Sequence, residues 1–350
     1  MQMSFLNATE QRLLEISRHG DPLERLNAVI DWRIFEPVLT RIDHKPRKSN
    51  AGRPVTNRIL LFKILILKKL YGLSDESIEY QIRDRLSFMR FLGLTLEADV
   101  PDARTIWAFA ESLTQAGLID ELFATFNIVL QALGVTMNSG QIIDATFVEA
   151  PRQRNKREDN ELIKQGAVPM SWGDKPHKRA QKDTDARWTR KNNERYYGYK
   201  DHSNVDKATK LITAFEVTDA AVHDSQAFSA IVRADGGDVY ADSAYASDKI
   251  AGILHARGIG NQIHERAYRN KPLTEAQEES NSLKSKTRAR VEHVFGTIKH
   301  TMKGFALRSI GLTRAKWNIG MKNLAYNLMR VEVLIRMNVF QFGRVAPAVV

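Results

Sequence analysis

The periodicity of this chain changes once, at Gly134, and that change limits what the chain can fold into. Before it, apolar residues recur at helical spacing and no segment demands a strand. After it, short β-favouring runs alternate with helical ones. The second half reads in order as a strand at 141–148, a polar stretch at 151–200, strands at 199–205 and 211–219, and a helix at 225–233. A strand at 237–241, a helix at 247–257, a short strand at 260–264, a polar connection at 266–286 and helices at 286–303 and 313–337 complete it. An all-α domain at 1–135 therefore precedes an α/β domain at 136–340 that carries a basic insertion at about 151–198.

The first half supplies its own punctuation. Asn7-Ala-Thr-Glu10 has the form of a capping box, and Asp21-Pro-Leu-Glu24 places proline at a first helical position. A basic loop spans 43–54. A helix at 57–71 is stopped by Gly72, and Ser74 caps another to about 84. Further helices follow at 86–92, at 105–116 behind Asp102, and at 118–133. Helix, glycine turn and helix over 57–84 permit either a DNA-reading helix-turn-helix or an ordinary helical hairpin. In the first case Arg58, Lys63, Lys68 and Lys69 are the candidate DNA contacts.

Three strands able to pair as an antiparallel meander precede two strands in α/β units. That is the order of a ribonuclease H-like fold, a mixed five-stranded sheet with flanking helices. In it the first and fourth strands lie side by side. Asp144 ends the apolar part of Gln141-Ile-Ile-Asp144, and Asp242 ends Val239-Tyr-Ala-Asp242. The two aspartates thus meet where α/β sheets place their chemistry. Glu292 lies on a basic helix, in Arg288-Ala-Arg-Val-Glu292.

Two strand-borne aspartates and a helix-borne glutamate could hold a pair of Mg²⁺ ions, with Mn²⁺ as a substitute. Such a pair activates the attacking oxygen and stabilises the leaving one in phosphodiester chemistry. Asp144 is then the bridging ligand, with Asp242 on one ion and Glu292 on the other. Without metal, three clustered carboxylates repel one another. Each acid taken singly also has an ordinary reading, as a turn or cap residue for the aspartates or an ion pair with Arg288 for Glu292.

Charge points the same way. With 52 Lys and Arg against 41 Asp and Glu, the chain has a formal charge of +11 and a pI near 9.7. A surplus of that size favours a polyanionic partner, although a merely basic enzyme also fits. The stretch 151–200 holds twice as many basic as acidic residues, interleaved with Trp172, Trp188, Tyr196, Tyr197 and Tyr199. It reads either as a surface that tracks phosphates and stacks on bases, ordered by DNA, or as a solvated insertion. There are no cysteines, which excludes disulfides, thiolate metal sites and cysteine nucleophiles. No secretory pattern opens the chain, and its most apolar run, 59–67, is too short to span a bilayer. The expectation is a soluble intracellular protein, cytoplasmic and nucleoid-associated, with no membrane partner.

Asp144-Ala-Thr, Asp242-Ser-Ala-Tyr and Arg288-x3-Glu292-x6-Lys299 together resemble the DDE transposases of bacterial insertion sequences, more narrowly the insertion-sequence-five type. Arg53-Pro54 with the helices that follow, Asp185-Ala-Arg-Trp188, Gly198-Tyr-Lys-x-His202 and Val222-His-Asp-Ser225 extend the resemblance over about 50–330. One departure stands out: Ser285 occupies the place of a tyrosine three residues before the arginine. The resemblance implies an enzyme that binds double-stranded DNA at terminal inverted repeats and cuts it with water. It also implies joining of the freed 3′ ends to target DNA, by a homodimer or higher assembly. It implies DNA contacts for Arg288 and Lys299 too, whose spacing alone fits helix-surface ion pairing equally well.

Overall fold

In the computed structural model, placement is described for residues 2–43, 56–135, 137–173, 175–191, 193–304 and 306–339, with the side chains of 2–7 excepted. The basic loop, beyond Asp43, and Arg53-Pro54 lie outside these residues. The chain divides into two compact units, Met1–Val135 with Met321–Val350, and Thr136–Gly320.

The helical unit begins with α1 (Gln2–Arg18), α2 (Pro22–Val29) and the short α3 (Glu36–Leu39). It continues with α4 (Arg58–Tyr71), α5 (Asp75–Asp84), α6 (Leu86–Leu92), α7 (Ala103–Gln115) and α8 (Ile119–Ala132). The caps read from sequence hold, since Asp21, Ser74 and Asp102 each accept from a first-turn amide, and Asn57 caps α4 in the same way. Gly72 ends α4 in the left-handed region at φ 59°. Asn7 is the exception, because α1 runs straight through it rather than starting there.

Helix α4 is the core element of this unit, with an unbroken buried run from Leu61 to Leu67 and then Leu70. Lys63 is caught in that run, only 9% exposed. Its ammonium sits over the Phe91 ring at 4.5 Å and the Trp32 ring at 5.4 Å. Burial pushes its pKa down to about 8 from 10.5. Between those values the unfolded chain binds the extra proton, so stability from this residue rises with pH from about 8 to 10.5. Lys63→Met, similar in length and uncharged, is expected to add about 1 kcal/mol at neutral pH, roughly 2–4 °C in Tm. That gain should shrink as pH approaches 10. A gain that stays constant across thermal melts through this window would show that the ammonium is not the cause.

The second unit opens with β1 (Gln141–Glu149), followed by α9 (Arg157–Lys164), α10 (Met170–Gly173) and α11 (Pro176–Ala180). Next come β2 (Arg187–Lys191), β3 (Glu194–Asp206), β4 (Ile212–Asp219), α12 (Asp224–Ile231), β5 (Val239–Tyr240) and α13 (Asp248–Ala256). Helices α14 (Glu275–Gly296) and α15 (Leu312–Arg336) follow, the latter entering the first unit from Met321 onward. Sequence alone assigns all of this last helix to the α/β domain.

The sheet runs β4–β3–β1–β5, with β2 paired to the leading half of β3. β1–β3 and β3–β4 are antiparallel, whereas β1–β5 is parallel. This is the ribonuclease H-like order. The segment expected as a fifth strand at 260–264 follows β5 irregularly, with a parallel bridge between Val239 and Asn261 and a bond from His264 N to Ala241 O at 3.0 Å. Helices α12 and α13 cover one side through Phe228, Ile231, Ile250 and Leu254, packed with Ile143, Val239 and Tyr245.

Two expectations need correction. The polar connection at 266–286 is helical from Glu275, opened by a full capping box between Thr274 and Gln277. Its first turns carry no apolar stripe, so only the cap could have announced them. The insertion is not an open stretch that awaits DNA. Trp172 and Tyr199 are fully buried and Tyr197 nearly so, leaving only Trp188 and Tyr196 of its five aromatics at the surface. Among the described residues no single helix is long and apolar enough to cross a membrane.

Candidate active site

The last paired residues of β1 and β5 are Ile142 and Tyr240. Two residues further on, in step, stand Asp144 and Asp242, and strand alternation turns both to one face of the sheet. Asp144 Oδ1 accepts from Ala145 N at 2.8 Å, and Asp242 Oδ1 accepts from Ala244 N at 2.9 Å, which caps the turn Ser243–Tyr245. From α14, Arg288 brings Nη2 to 3.4 Å from Asp144 Oδ2.

Burial raises the Asp144 pKa above its ordinary value. Arg288 and the Ala145 amide oppose that shift, Asp242 adds to it, and Lys191 opposes it. One guanidinium, itself carrying a buried Nε without a partner, therefore stands against two neighbouring carboxylates.

Two further groups close around the pair. The buried hydroxyl of Tyr245 has no hydrogen-bond partner. Burial first, then the charges of Asp144, Asp224 and Asp242, push its ionisation well above the ordinary range, so it stays a proton donor. His264 places Nε2 3.3 Å from Ser285 Oγ, which itself donates to Asn281 O at 2.8 Å. The serine proton is thus committed, and the histidine contributes the N–H in that contact. Burial, Arg288 and Lys284 lower the His264 pKa, against the pull of Asp242. In the middle of β3, Lys200 is fixed between Asp224 at 2.8 Å and Val222 O at 2.7 Å.

Glu292 stands one turn beyond Arg288, exposed, in an open groove lined also by Ala289, His293, Gly296, Thr297 and Thr301. Helix α14 buries Val291, Val294 and Phe295, and Glu292 sits beside that stripe rather than on it. Among the described residues no three His, Asp or Glu side chains stand close enough together to hold a metal ion. The fold joins Asp144, Asp242 and Arg288, and Glu292 stands one turn further along α14. Lys299 is exposed on a π turn, Thr297–Thr301, that continues α14. A π turn advances less per residue than the 100° of an α-helix, so Lys299 falls behind the line through Glu292 that seven-residue spacing predicts.

Besides the buried Lys63, the other three basic residues singled out in 57–84 are already engaged. Arg58 pairs with Asp43 and lies 5.6 Å over Phe109. Lys68 pairs with Asp75. Lys69 is half-buried, and burial with the charges of Lys68 and Lys322 pushes its pKa down to about 7. The second helix of the pair, α5, carries Asp75, Glu76, Glu79 and Asp84 against Arg83. An anionic helix suits a phosphate-lined groove poorly, so packing and charge favour the helical hairpin of the two readings.

Tyr245, His264 and the Lys200–Asp224 pair had no role assigned from sequence. Lys200, Asp224 and Tyr245 stood inside the motif segments, and His264 ended a short strand pattern near no other signal.

A family model described as Transposase DDE domain matches residues 136–328, and one described as Transposase domain (DUF772) matches residues 11–112. Among solved structures, that of piggyBac transposase in a synaptic complex with hairpin DNA aligns with 92% of this chain and 77% of its own. The sequence identity is 14% and the TM-score 0.45.

Proposed function

The chain belongs to the transposase DDE domain family, and we propose that it cuts DNA at the terminal inverted repeats of its own element and joins the 3′ ends to target DNA. The observation that carries this reading is the in-step pairing of Asp144 and Asp242 on adjacent parallel strands, with Arg288 as their counter-charge. Transposases of this family use divalent metal ions. The acids present suit one: an all-oxygen donor pair, partly buried, whose two negative charges face one ion-paired guanidinium, Arg288, and the ammonium of Lys191. Asp144 and Asp242 are the holding residues in this proposal, with Glu292 completing the set for two Mg²⁺ or Mn²⁺ ions. Bound there, such ions supply Lewis-acid activation and charge neutralisation at phosphorus.

The protein's own groups do the rest. Arg288 neutralises Asp144 and grips the DNA phosphate near the cut. Tyr245 and His264 offer hydrogen bonds at the rim of the acids. Lys299 holds the DNA flank from the end of α14. Arg58, Lys68 and Lys69 take structural duties within the helical unit. Cutting and joining two ends together calls for at least a dimer on DNA, and the insertion-sequence-five type is the subgroup this reading keeps.

Glu292→Gln tests it, since the change keeps shape and removes charge. In a nicking and strand-joining assay with Mg²⁺ or Mn²⁺, the variant is expected to bind DNA like the wild type but to cut about a hundredfold more slowly, a barrier increase near 2.7 kcal/mol. The exposure of Glu292 outside the acid pair favours one second reading, a DNA-binding relative that does not cut. Wild type and variant that bind alike and cut under neither metal would decide for that reading. Cutting that ignores the substitution would remove Glu292 from the set and leave the aspartates.

A further inference from the structure

We propose that the hairpin of β2 and β3 carries a second DNA surface, one that grips the phosphate backbone beside the acids and stacks an unpaired base on Trp188. The inference rests on the transposase reading. In the hairpin register Arg190 lies directly opposite Arg195, and Trp188 directly opposite Tyr197. Alternation puts Trp188, Arg190 and Arg195 on one side, and all three are exposed. From the loop after β1, Arg152 adds its guanidinium 5.9 Å from the Trp188 ring.

Like charges opposed across a strand pair destabilise the pair. A neutralising carboxylate is the usual remedy, yet among the described residues none pairs with Arg190 or Arg195. Arg190 reaches only the Asn193 side-chain oxygen. The one acid among the paired residues of β2 and β3, Glu194, lies across from Lys191 on the other side and takes the Tyr196 hydroxyl. Three arginines and a half-exposed tryptophan, 46% accessible, thus share a side with no ion pair to these arginines among the described residues. That arrangement suits a polyanion with aromatic faces, which single-stranded or frayed DNA supplies.

Its position ties the hairpin to the chemistry. Lys191 Nζ lies 5.9 Å from the Phe147 ring of β1, three residues past Asp144. The same ammonium favours the ionised form of Asp144. Lys191 stands on the side opposite Trp188, Arg190 and Arg195, so it ties the hairpin, rather than this face of it, to Asp144.

The test measures DNA affinity by fluorescence anisotropy across about 50–200 mM salt. It compares wild type, Arg190→Ala with Arg195→Ala, and Trp188→Ala, on a blunt duplex and on the same duplex with an unpaired tail. The double variant is expected to lower the slope of log K against log salt by roughly two, about 0.9 for each phosphate no longer neutralised. Its melting temperature should be unchanged or higher, because the opposed charges are gone. Trp188→Ala should weaken binding to the tailed duplex by about fivefold or more with the slope unchanged, because stacking releases no counter-ions. A double variant that keeps the full slope while wild type binds and cuts DNA would overturn this surface alone. Wild type that binds no DNA would overturn the transposase reading with it. A slope that falls for an acidic peptide but not for DNA would assign the side to a protein partner instead.

Discussion

Asp144→Asn is expected to leave a folded, DNA-binding protein whose cutting rate falls by at least about 10³-fold, roughly 4 kcal/mol in the barrier. The amide keeps the shape, and its oxygen can still accept from Ala145 N, now at 2.8 Å. What disappears is the negative charge, placed in step with Asp242 and matched by Arg288 at 3.4 Å. An amide is a poor ligand for a hard divalent cation beside one remaining carboxylate. Stability should move the other way. Burial already opposes ionisation of Asp144, so the carboxylate costs the fold something at neutral pH that asparagine does not. The melting temperature is expected at or above that of wild type. Salt-dependent DNA affinity should stay close to wild type as well. A variant that cuts within tenfold of wild type would sink the assignment. A variant that loses both cutting and its melting transition would point to a structural aspartate instead.

That pair was legible because two local signals converged. Each aspartate closes a short apolar run, and the order of the runs fixes which strands become neighbours. Register then does the remaining work, since a parallel pair matched at Ile142 and Tyr240 must bring residues two further on into step. Glu292 illustrates the limit of the same reasoning. Spacing along a helix gives the face relative to Arg288, but the rotation of α14 is set by where Val291, Val294 and Phe295 find their core. The π turn after Gly296 was equally invisible, and it displaces Lys299 from the face that spacing predicts.

Basic residues were the least legible part. Lys63, Lys68 and Lys69 all sit on a helix whose two sides are both buried, a situation periodicity alone does not separate from an amphipathic surface helix. Lys63 uses the faces of Trp32 and Phe91, and Lys68 uses Asp75 across the Gly72 turn. Composition alone therefore does not separate a basic residue that meets a partner from one engaged within the helix. The insertion was legible only in part, for the opposite reason. Its aromatics looked like an exposed stacking surface, but Trp172, Tyr197 and Tyr199 are what hold it to the sheet. Trp188 and Tyr197 lie directly opposite each other with ring centroids 5.0 Å apart, yet the first is exposed and the second buried.

Asp183→Ala should be the most damaging single change to the α/β unit, costing about 3–5 kcal/mol. This side chain is 1% exposed. It accepts from Asp185 N and Ala186 N at 2.9 Å each, from the Tyr199 hydroxyl at 2.7 Å, and from Gly311 N at 3.1 Å. Those four donors come from the end of the insertion, from β3 and from the turn that opens α15, where Gly311 holds a φ of 93°. Alanine would leave several of them buried without an acceptor, and each such orphan costs about 1–3 kcal/mol. Asn should cost less, because one oxygen survives while its amide faces existing donors. Tyr199→Phe should cost least, about 1 kcal/mol, since it removes a donor and leaves the carboxylate three others. Urea unfolding followed by hydrogen exchange over 187–219 separates this unit from the helical one, which a single global melt cannot do. The expected order of loss is Ala, then Asn, then Phe at 199, with the helical unit unaffected. Equal losses for all three would mean that the one hydrogen bond from the Tyr199 hydroxyl, and not the aspartate's backbone donors, ties the insertion to the sheet.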